Sequence, residues 1–208
     1  MPRRGDPEAT KKKDICDILD FIKAKSTDVF CDLGCGNGKT VLWASEKVGF
    51  AYGIEKHKRT YLTAERNKKK RKRGNVEFIN GDYIKHKTFN RVVKSNIIFC
   101  INEEPLSTYV MIEKTLKPNS FFITFGFPHY PIIPQSRLRN YYIMKTPFKI
   151  ARNEHIWVRS VVTRNSKIED VYRKMRRDFK PKFAKDDIED LRELIISIKW
   201  LFEKLKCS

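Results

Sequence analysis

The sequence predicts an α/β fold in which helices flank a mostly parallel sheet. Short β-rich runs alternate with segments whose apolar residues recur at helical spacing, and this alternation continues to Phe125. The first β-rich run ends in the glycine-rich segment Gly34–Gly38, which lies directly before a helical segment. Repeated alternation of this kind favours parallel strands joined by helical crossovers, so we expect a sheet with helices on its faces.

The elements follow from these two patterns in order along the chain. A first helix over Glu8–Lys25 is indicated by Ile15, Ile18, Leu19 and Ile22, which recur at helical spacing. The segments after it are predicted as strand Asp28–Leu33, helix Lys39–Val48, strand Ala51–Glu55, helix Lys58–Lys72, strand Val76–Asn80, strand Ser95–Asn102, helix Leu106–Leu116 and strand Phe121–Phe125.

The pattern changes after Phe127, where three prolines between residues 128 and 134 predict a loop. The β-rich runs Tyr141–Ile150 and His155–Val162 have no helix between them, so we expect an antiparallel pair at the edge of the sheet. Helical spacing returns in the basic segment Thr163–Ser208, which we expect to pack on the domain or on a partner. The predicted organisation is a basic N-terminal segment and helix (1–27), one α/β domain (28–162) and a basic helical extension (163–208).

The composition indicates a polyanionic neighbour. The 208 residues include 44 Lys or Arg against 25 Asp or Glu, which gives a net charge of +19. Such an excess favours contact with nucleic acid, because Lys and Arg bind phosphates with release of counterions. A Lys-rich surface is also typical of proteins from hyperthermophiles, so the charge alone leaves both interpretations open.

The cysteines and the apolar segments indicate an intracellular protein. The five cysteines are scattered, mostly within apolar runs, and lack the histidines and spacing of a zinc site, so we expect reduced thiols and no metal. No apolar stretch is long enough to span a membrane, and the basic start Met1–Arg4 lacks the apolar region of a signal peptide. We therefore expect a cytoplasmic or chromatin-associated location.

A cofactor site is predicted where the first three strands end. The glycine turn allows close approach of a ligand to the backbone, and the helix after it presents free N–H groups. Glu55 ends the second strand, where a carboxylate can accept ribose hydroxyls, and Asp82 follows the third, where it can accept an adenine amine. The candidate cofactor-binding residues are Asp32, Gly34, Cys35, Gly36, Asn37, Gly38, Glu55, Lys56, Asp82, Tyr83 and Asn102.

The order and spacing of these groups are typical of class I methyltransferases that use S-adenosylmethionine, with S-adenosylhomocysteine as product. The fold prediction is therefore a Rossmann-like class I methyltransferase sheet. A dinucleotide site is the weaker alternative, because the glycines follow Asp32-Leu33 rather than a plain apolar strand. Asp32 can also be interpreted as a cap of the turn, and Asp82 as an ordinary turn residue after Gly81.

The residues after the fourth strand separate the classes of methyl acceptor. Ile101-Asn102-Glu103-Glu104-Pro105 lacks the Asn-Pro-Pro-aromatic segment of the common base N-methylases. Cytosine C5 methylation needs an attacking thiolate, whereas Cys100 lies inside an apolar strand and is better explained as a core thiol. The sequence therefore predicts direct methyl transfer without a nucleophilic residue.

The chain resembles the non-SET, seven-strand protein lysine methyltransferases, which include the Disruptor of telomeric silencing-like histone enzymes and the small archaeal lysine methyltransferases. The resemblance covers about Asp28–Val162 and is carried by the glycine turn and by four other segments, Tyr52–Lys56, Ser95–Asn102, Phe125–Pro128 and Glu154–Val158. It implies that Asn102 touches the cofactor or orients the lysine. It also implies that Phe127, Pro128 and Trp157 lie at the substrate channel.

The chain departs from this family at two points. Where the family has paired asparagines this chain has Ile101-Asn102, and Glu103-Glu104 replaces apolar and aromatic residues. A narrow aromatic channel suits lysine because the amine must lose its proton and its water before it attacks the methyl group. The predicted activity is transfer of a methyl group to lysine in a DNA-associated, histone-like or chromatin-like protein.

Two basic stripes are candidates for nucleic-acid binding. Ten Lys or Arg residues and one acid lie between Lys56 and Arg73, and eight against three acids lie between Arg164 and Lys182. A solvated helix face is the alternative for both. The candidate contacts are Lys68, Lys69, Lys70, Arg71, Lys72, Arg73, Arg173, Lys174, Arg176 and Arg177. The charge supports a ribosomal or transfer RNA methyltransferase equally well, and an inactive nucleic-acid-binding module is a second rival.

Overall fold

The computed structural model describes residues 10–101, 106–125, 132–150 and residue 200. The helices are α1 (Lys12–Phe21), α2 (Lys39–Ala44), α3 (Lys58–Arg71), α4 (His86–Phe89) and α5 (Leu106–Thr115), with a 3₁₀ turn at Asn90–Val92. The strands are β1 (Val29–Leu33), β2 (Phe50–Glu55), β3 (Val76–Asn80), β4 (Ile97–Cys100), β5 (Phe121–Phe125), β6 (Ile132–Ile133), β7 (Ser136–Leu138), β8 (Tyr141–Lys145) and β9 (Lys149–Ile150).

The chain forms two compact units. The first contains Met1–Glu103, Thr115–Pro128 and Pro134–Phe148, and it holds the larger sheet. The second contains Glu104–Lys114, His129–Ile133 and Lys149–Ser208. No helix in the described part of the chain is long and apolar enough to cross a membrane.

The larger sheet has seven strands in the order β3-β2-β1-β4-β5-β8-β7. The first five are parallel, β8 runs antiparallel to β5, and β7 runs antiparallel to β8. In the parallel part every strand ends at the same side, which we call the carboxyl edge, and begins at the opposite side, the amino edge. The predicted fold class, a Rossmann-like sheet with antiparallel edge strands, is confirmed.

The core of the first unit lies between the sheet and its helices. The apolar stripe of α1, predicted from helical spacing, is buried at Ile15, Ile18 and Leu19. These side chains join a cluster with residues of α2 and of the strands, including Phe30 and Phe99. Burial of one such aliphatic side chain contributes about 1.5–3 kcal/mol, so the stripe fixes α1 firmly to the domain.

Asparagines close the amino edge of the sheet. Val29 donates its backbone N–H to Asn96 Oδ1 at 2.8 Å, and Asn96 Nδ2 donates to Asp28 Oδ1 at 2.8 Å. Asn75 Nδ2 donates to the carbonyl oxygen of Ser45 at 2.9 Å. The first bond satisfies a backbone N–H at the start of β1, and the last one satisfies a carbonyl oxygen at the end of α2.

The edge hairpin differs from the prediction. The expected strand over 141–150 ends at Lys145, and its outer partner is β7 rather than 155–162, which lies outside the described residues. The turn between β7 and β8 places Arg139 at a φ of 54°, and Arg139 donates to Asp14 and Asp17 of α1, at 2.5 Å in each case. The sequence pattern missed β7 because a short strand next to prolines resembles a loop. The short helix α4 and the 3₁₀ turn were not predicted either.

The second unit is described at α5, at the short pair β6–β9 and at Trp200. Ile132 and Ile133 pair antiparallel with Ile150 and Lys149. Trp200 is helical and buried, and its indole N–H donates to the Glu113 carboxylate of α5. At this residue the predicted basic extension packs on α5; the remainder of 163–208 lies outside the described residues.

Candidate active site

The glycine turn lies between β1 and α2 at the carboxyl edge. Gly34, Gly36 and Gly38 have φ values of 79°, 55° and 77°, a region that other residues enter at a cost of about 1–2 kcal/mol. Gly34 and Cys35 both donate their backbone N–H to the carbonyl oxygen of Ile54, at 2.9 Å each. These bonds anchor the turn to the end of β2, so its shape depends on the neighbouring strand as well as on its own sequence.

The glycines of the turn serve two different purposes. A Cβ at Gly38 would lie 2.7 Å from Phe78 Cε1, closer still to Phe78 Cζ, and 2.9 Å from the Cβ of Ala64. A Cβ at Gly36 would meet nothing within 4 Å. Gly38 therefore allows the turn to pack on β3 and α3, whereas Gly36 leaves open space in front of the backbone. Such open space is what a ligand needs for close approach to a glycine turn.

Glu55, at the end of β2, faces the glycine turn. Its side chain is 7% exposed, and its two oxygens accept different backbone N–H groups. Gly36 donates to Oε2 at 2.9 Å and His57 donates to Oε1 at 2.7 Å. A carboxylate oxygen has a second lone pair, so each oxygen can accept one more donor. The arrangement holds an acid against the turn and leaves it capacity to accept hydroxyl groups.

Asp32 is a buried acid at the same edge. Its residue exposure is 4%, and within the described part of the chain no donor or cation reaches its carboxylate. Burial, together with the neighbouring Glu55 carboxylate, raises the pKa of Asp32 from 3.8 to about 8. A carboxylate this poorly compensated is costly unless a donor or a cation joins it. Near neutral pH the folded protein therefore favours the protonated form of Asp32, and a cation bound beside it would favour the carboxylate.

Asp82 follows β3 and is tied to β2. Lys56 Nζ lies 3.1 Å from Asp82 Oδ2, and Ile84 donates its backbone N–H to Asp82 Oδ1 at 3.2 Å. Asn80 Nδ2 donates to the carbonyl oxygens of Glu55 and Lys56, at 2.8 and 3.1 Å. The hydrogen bond from Ile84 to Asp82 is the one expected of an Asp in a turn after glycine, and the ion pair with Lys56 fixes the orientation of the Asp82 carboxylate.

The remaining predicted residues of the turn are placed differently. Cys35 is buried in the core cluster, and burial next to Asp32 raises the pKa of its thiol. The carbonyl oxygen of Asn37 accepts a hydrogen bond from Asn67 Nδ2 at 2.9 Å. Tyr83 is partly buried next to Asp82. The side chain of Cys35 thus supports the turn from inside, so only its backbone can face a ligand.

The sequence matches a family model described as a methyltransferase domain over residues 24–177, about three quarters of the chain. The chain belongs to this methyltransferase family. Its class as an S-adenosylmethionine-dependent enzyme, predicted from the glycine turn and the strand-end acids, is confirmed, and so is the predicted cofactor. No curated protein matches the chain in sequence.

Solved structures resemble this methyltransferase in fold. An RNA methyltransferase from Salinibacter ruber, crystallised with S-adenosyl-L-homocysteine, shares 22% identity over 69% of this chain and 96% of its own, with a TM-score of 0.56. Precorrin 8W decarboxylase from Methanobacterium thermoautotrophicum shares 22% identity over 59% of this chain and 67% of its own, with a TM-score of 0.51. Precorrin-6y C5,15-methyltransferase from Geobacter metallireducens shares 15% identity over 60% and 66%, also with a TM-score of 0.51.

The residues at the carboxyl edge fit S-adenosylmethionine by their own chemistry. The open space at Gly36 suits a ligand that approaches the backbone, and the uncompensated Asp32 carboxylate suits the cationic groups of the cofactor. Glu55 retains acceptor capacity for ribose hydroxyls, and Asp82 for an adenine amine. Together with the turn, these three acids are the residues that would hold the cofactor.

Sequence reasoning missed the residues that support the turn from behind. Phe78 and Ala64 fill the space next to Gly38, and a Cβ at Gly53 would lie 2.7 Å from Cys35 Sγ. The glycine in Tyr52-Gly53-Ile54-Glu55 was the available signal for this close packing. The four predicted catalytic residues, Asn102, Phe127, Pro128 and Trp157, lie outside the described residues.

Cys100 is a core residue of this methyltransferase. It is fully buried in β4, and its thiol donates to the carbonyl oxygen of Leu33 at 3.5 Å. A thiol held in the core cannot attack a nucleobase, because attack needs an exposed thiolate. In the described ranges no three His, Cys, Asp or Glu side chains come together in a way that could hold a metal ion.

Proposed function

We propose that this methyltransferase transfers a methyl group from S-adenosylmethionine to the side-chain amine of lysine in a DNA-associated protein. The observation that carries the proposal is the fourth strand and the residues after it. β4 lies beside β1 in the sheet, and Ile101-Asn102-Glu103-Glu104 follows it where base N-methylases have Asn-Pro-Pro-aromatic. This segment resembles that of the non-SET lysine methyltransferases.

The chemistry required of the protein is modest. S-Adenosylmethionine supplies an electrophilic methyl group bonded to a sulfonium sulfur. The lysine must arrive neutral, so that its nitrogen lone pair can form the new bond to the methyl carbon while the carbon–sulfur bond breaks toward sulfur. An apolar surrounding lowers the pKa of an amine, and fixed positions supply the in-line geometry. No residue of the chain needs to form a covalent intermediate.

The charges of the carboxyl edge are consistent with such an acceptor. Glu103 and Glu104 follow the end of β4 in the sequence. Acids near the mouth of a site raise the local concentration of a cationic lysine before it loses its proton. Asn102 is proposed to contact the cofactor or to orient the amine, and Phe127, Pro128 and Trp157 are proposed to line the channel.

An RNA methyltransferase is the second candidate, and two observations favour it. The Salinibacter ruber enzyme that this chain resembles in fold is an RNA methyltransferase, and the net charge of +19 suits an RNA partner. The chain lacks the Asn-Pro-Pro-aromatic segment, and the buried Cys100 removes the thiolate route to C5 methylation. The alternative that remains is methylation of a nitrogen or oxygen atom of RNA by a different arrangement of residues.

The two candidates are separated by the identity of the methylated residue. Purified protein is incubated with methyl-labelled S-adenosylmethionine and a cell extract divided into protein and RNA fractions, and the labelled residue is identified by mass spectrometry. We expect label on lysine and none with Glu55→Ala, which removes the acid opposite Gly36. Label on RNA that also depends on Glu55 would overturn the lysine proposal while leaving the methyltransferase assignment intact.

A further inference from the structure

The most basic segment of the described chain lies at the end of α3 that is away from Glu55. Six consecutive cations, which we call the basic cluster, end α3 and follow it: Lys68, Lys69, Lys70, Arg71, Lys72 and Arg73. β2 ends at Glu55 on the carboxyl edge, α3 then runs back along the sheet, and β3 begins at Val76 on the amino edge. The 14 residues of α3 span about 20 Å, so the basic cluster begins about 15 Å along the helix from its first residue, directly after Asn67, which contacts the carbonyl oxygen of Asn37 in the glycine turn.

The contacts of the basic cluster confirm this position and show that its charge is largely uncompensated. Arg71 and Arg73 approach Glu46 at 3.8 and 3.3 Å, and Glu46 lies just before β2 begins. Lys12 shares the same carboxylate at 2.7 Å. Among the residues that the structure describes, no acid pairs with Lys68, Lys69, Lys70 or Lys72. Three cations in this region thus share the Glu46 carboxylate, and four lysines have no acid partner among the described residues.

Further cations extend the positive charge across the amino edge. Every one of the five parallel strands is preceded by a Lys or Arg three or four residues before its first residue; these are Lys25, Lys47, Arg73, Lys94 and Lys117. Lys25, Lys94 and Lys117 are exposed, and Lys47 pairs with Asp20. Five neighbouring strands about 4.8 Å apart place these entry loops along a line of about 19 Å. The line continues the basic cluster from β3 toward β5.

We infer that the amino edge of the sheet, formed by the basic cluster with Lys25, Lys94 and Lys117, docks the phosphate backbone of double-stranded DNA and holds it away from the methyl-transfer site. DNA is then an anchor, because the acids that form the cofactor site lie at the opposite edge. This inference rests on the proposed function, since an anchored duplex brings a DNA-bound protein, and its lysine, within reach of the carboxyl edge. A row of lysines facing regularly spaced phosphates gains affinity from counterion release.

A structural role explains only part of the basic cluster. Cations in the last turn of a helix stabilise its carbonyl end, and Lys68 to Arg71 occupy that turn. Lys72 is the C-cap of α3 and Arg73 lies beyond it, while Lys25, Lys94 and Lys117 lie two to four residues after the last helical residue before their strands, outside the last turn. The dipole of α3 therefore explains Lys68 to Arg71, but it does not explain the line of charge along the amino edge of the sheet.

The test compares charge reversal at the two edges of the sheet. The amino-edge variant is Lys69→Glu with Lys70→Glu. The matched control is Lys85→Glu with Lys87→Glu, two exposed lysines just after Asp82, at the carboxyl edge, with the same change in charge. Affinity for a fluorescent DNA duplex of about two helical turns is measured by anisotropy between roughly 50 and 200 mM salt, without any methyl acceptor. Circular dichroism and S-adenosylmethionine binding show that each variant is folded.

We expect the amino-edge variant to bind DNA about tenfold or more weakly at low salt, with the slope of log affinity against log salt reduced by roughly 1.8, while the control stays within about threefold of the parent. An equal or greater loss in the control would place DNA at the carboxyl edge and overturn the inference. Absence of salt-dependent DNA binding in the parent protein, or tighter binding to anionic lipid vesicles than to DNA, would also overturn it. Each of these outcomes is independent of whether lysine or RNA carries the methyl label.

Discussion

Replacing Gly38 and Gly36 in turn by alanine separates the packing of the glycine turn from its function. At Gly38 the added Cβ meets Phe78 and Ala64 at less than 3 Å, and the backbone has a φ of 77°. The positive φ costs about 1–2 kcal/mol and overpacking of a tight site about 1–3 kcal/mol, so we expect Gly38→Ala to lose about 2–5 kcal/mol. A loss of this size is a large part of the stability of an ordinary domain.

Gly36→Ala carries the backbone strain alone. Its Cβ would point into open space, so we expect a loss of about 1–2 kcal/mol in the free energy of unfolding. The new methyl group would occupy the space through which a ligand approaches the turn. We therefore expect Gly36→Ala to lower the affinity for S-adenosylmethionine strongly with only a small change in stability.

The assay is urea unfolding followed by circular dichroism, with calorimetric titration of S-adenosylmethionine on the folded variants. Gly74→Ala is the control, because its Cβ would have no neighbour within 4 Å and its φ is not positive. If Gly38→Ala unfolds at the same urea concentration as Gly36→Ala, the packing argument is wrong. If Gly36→Ala binds the cofactor as tightly as the parent, the open space is not a ligand site.

Three further predictions follow from the acids and ion pairs. The pKa of Asp32 is raised to about 8 in the folded protein. The contribution of Asp32 to stability is therefore fully present below about pH 4 and is lost as the pH rises through 8. Asp32→Asn should make the urea midpoint depend less on pH between pH 5 and 8, and an unchanged slope of midpoint against pH would contradict the burial argument. Lys56→Met removes the ion pair that orients the Asp82 carboxylate. We expect it to lower the affinity for S-adenosylhomocysteine several-fold and to lower the affinity for an analogue without the adenine amine less. Equal losses of affinity for both ligands would show that Lys56 does not orient Asp82 toward that amine. Arg139→Ala removes the two bonds to α1 and should lower the melting temperature by a few degrees, whereas Arg137→Ala, on the same hairpin but with no acid partner in the described chain, should change it less.

Much of this fold was predictable because its signals are local. The alternation of β-rich and helical segments gave the five parallel strands within two residues at each end; the largest differences are at β4, which runs Ile97–Cys100 where Ser95–Asn102 was predicted. The glycine turn and the acids Glu55 and Asp82 were recognisable because a strand followed by such a turn places its polar residues at one edge of a parallel sheet. The family match over residues 24–177 confirmed that the chain is a methyltransferase.

The remaining features depend on residues far apart in the chain. The pairing of β7 with β8 is decided by a turn and by Arg139, whose acid partners lie about 120 residues earlier, and no local pattern reports such a contact. The different roles of Gly36 and Gly38 are set by Phe78 and Ala64 on other elements. From the sequence the two glycines are equivalent.

The sequence by itself determined which chemistry the chain carries: a glycine turn, strand-end acids and a large excess of cations. Only the tertiary structure decided where these groups meet. It buried Asp32 beside Glu55, which changes the protonation of an acid that looks ordinary in the sequence. It also carried the basic cluster to the amino edge, because a crossover helix must run back along the sheet between two parallel strands. Charge and composition are properties of the chain, whereas distance and desolvation are properties of the fold.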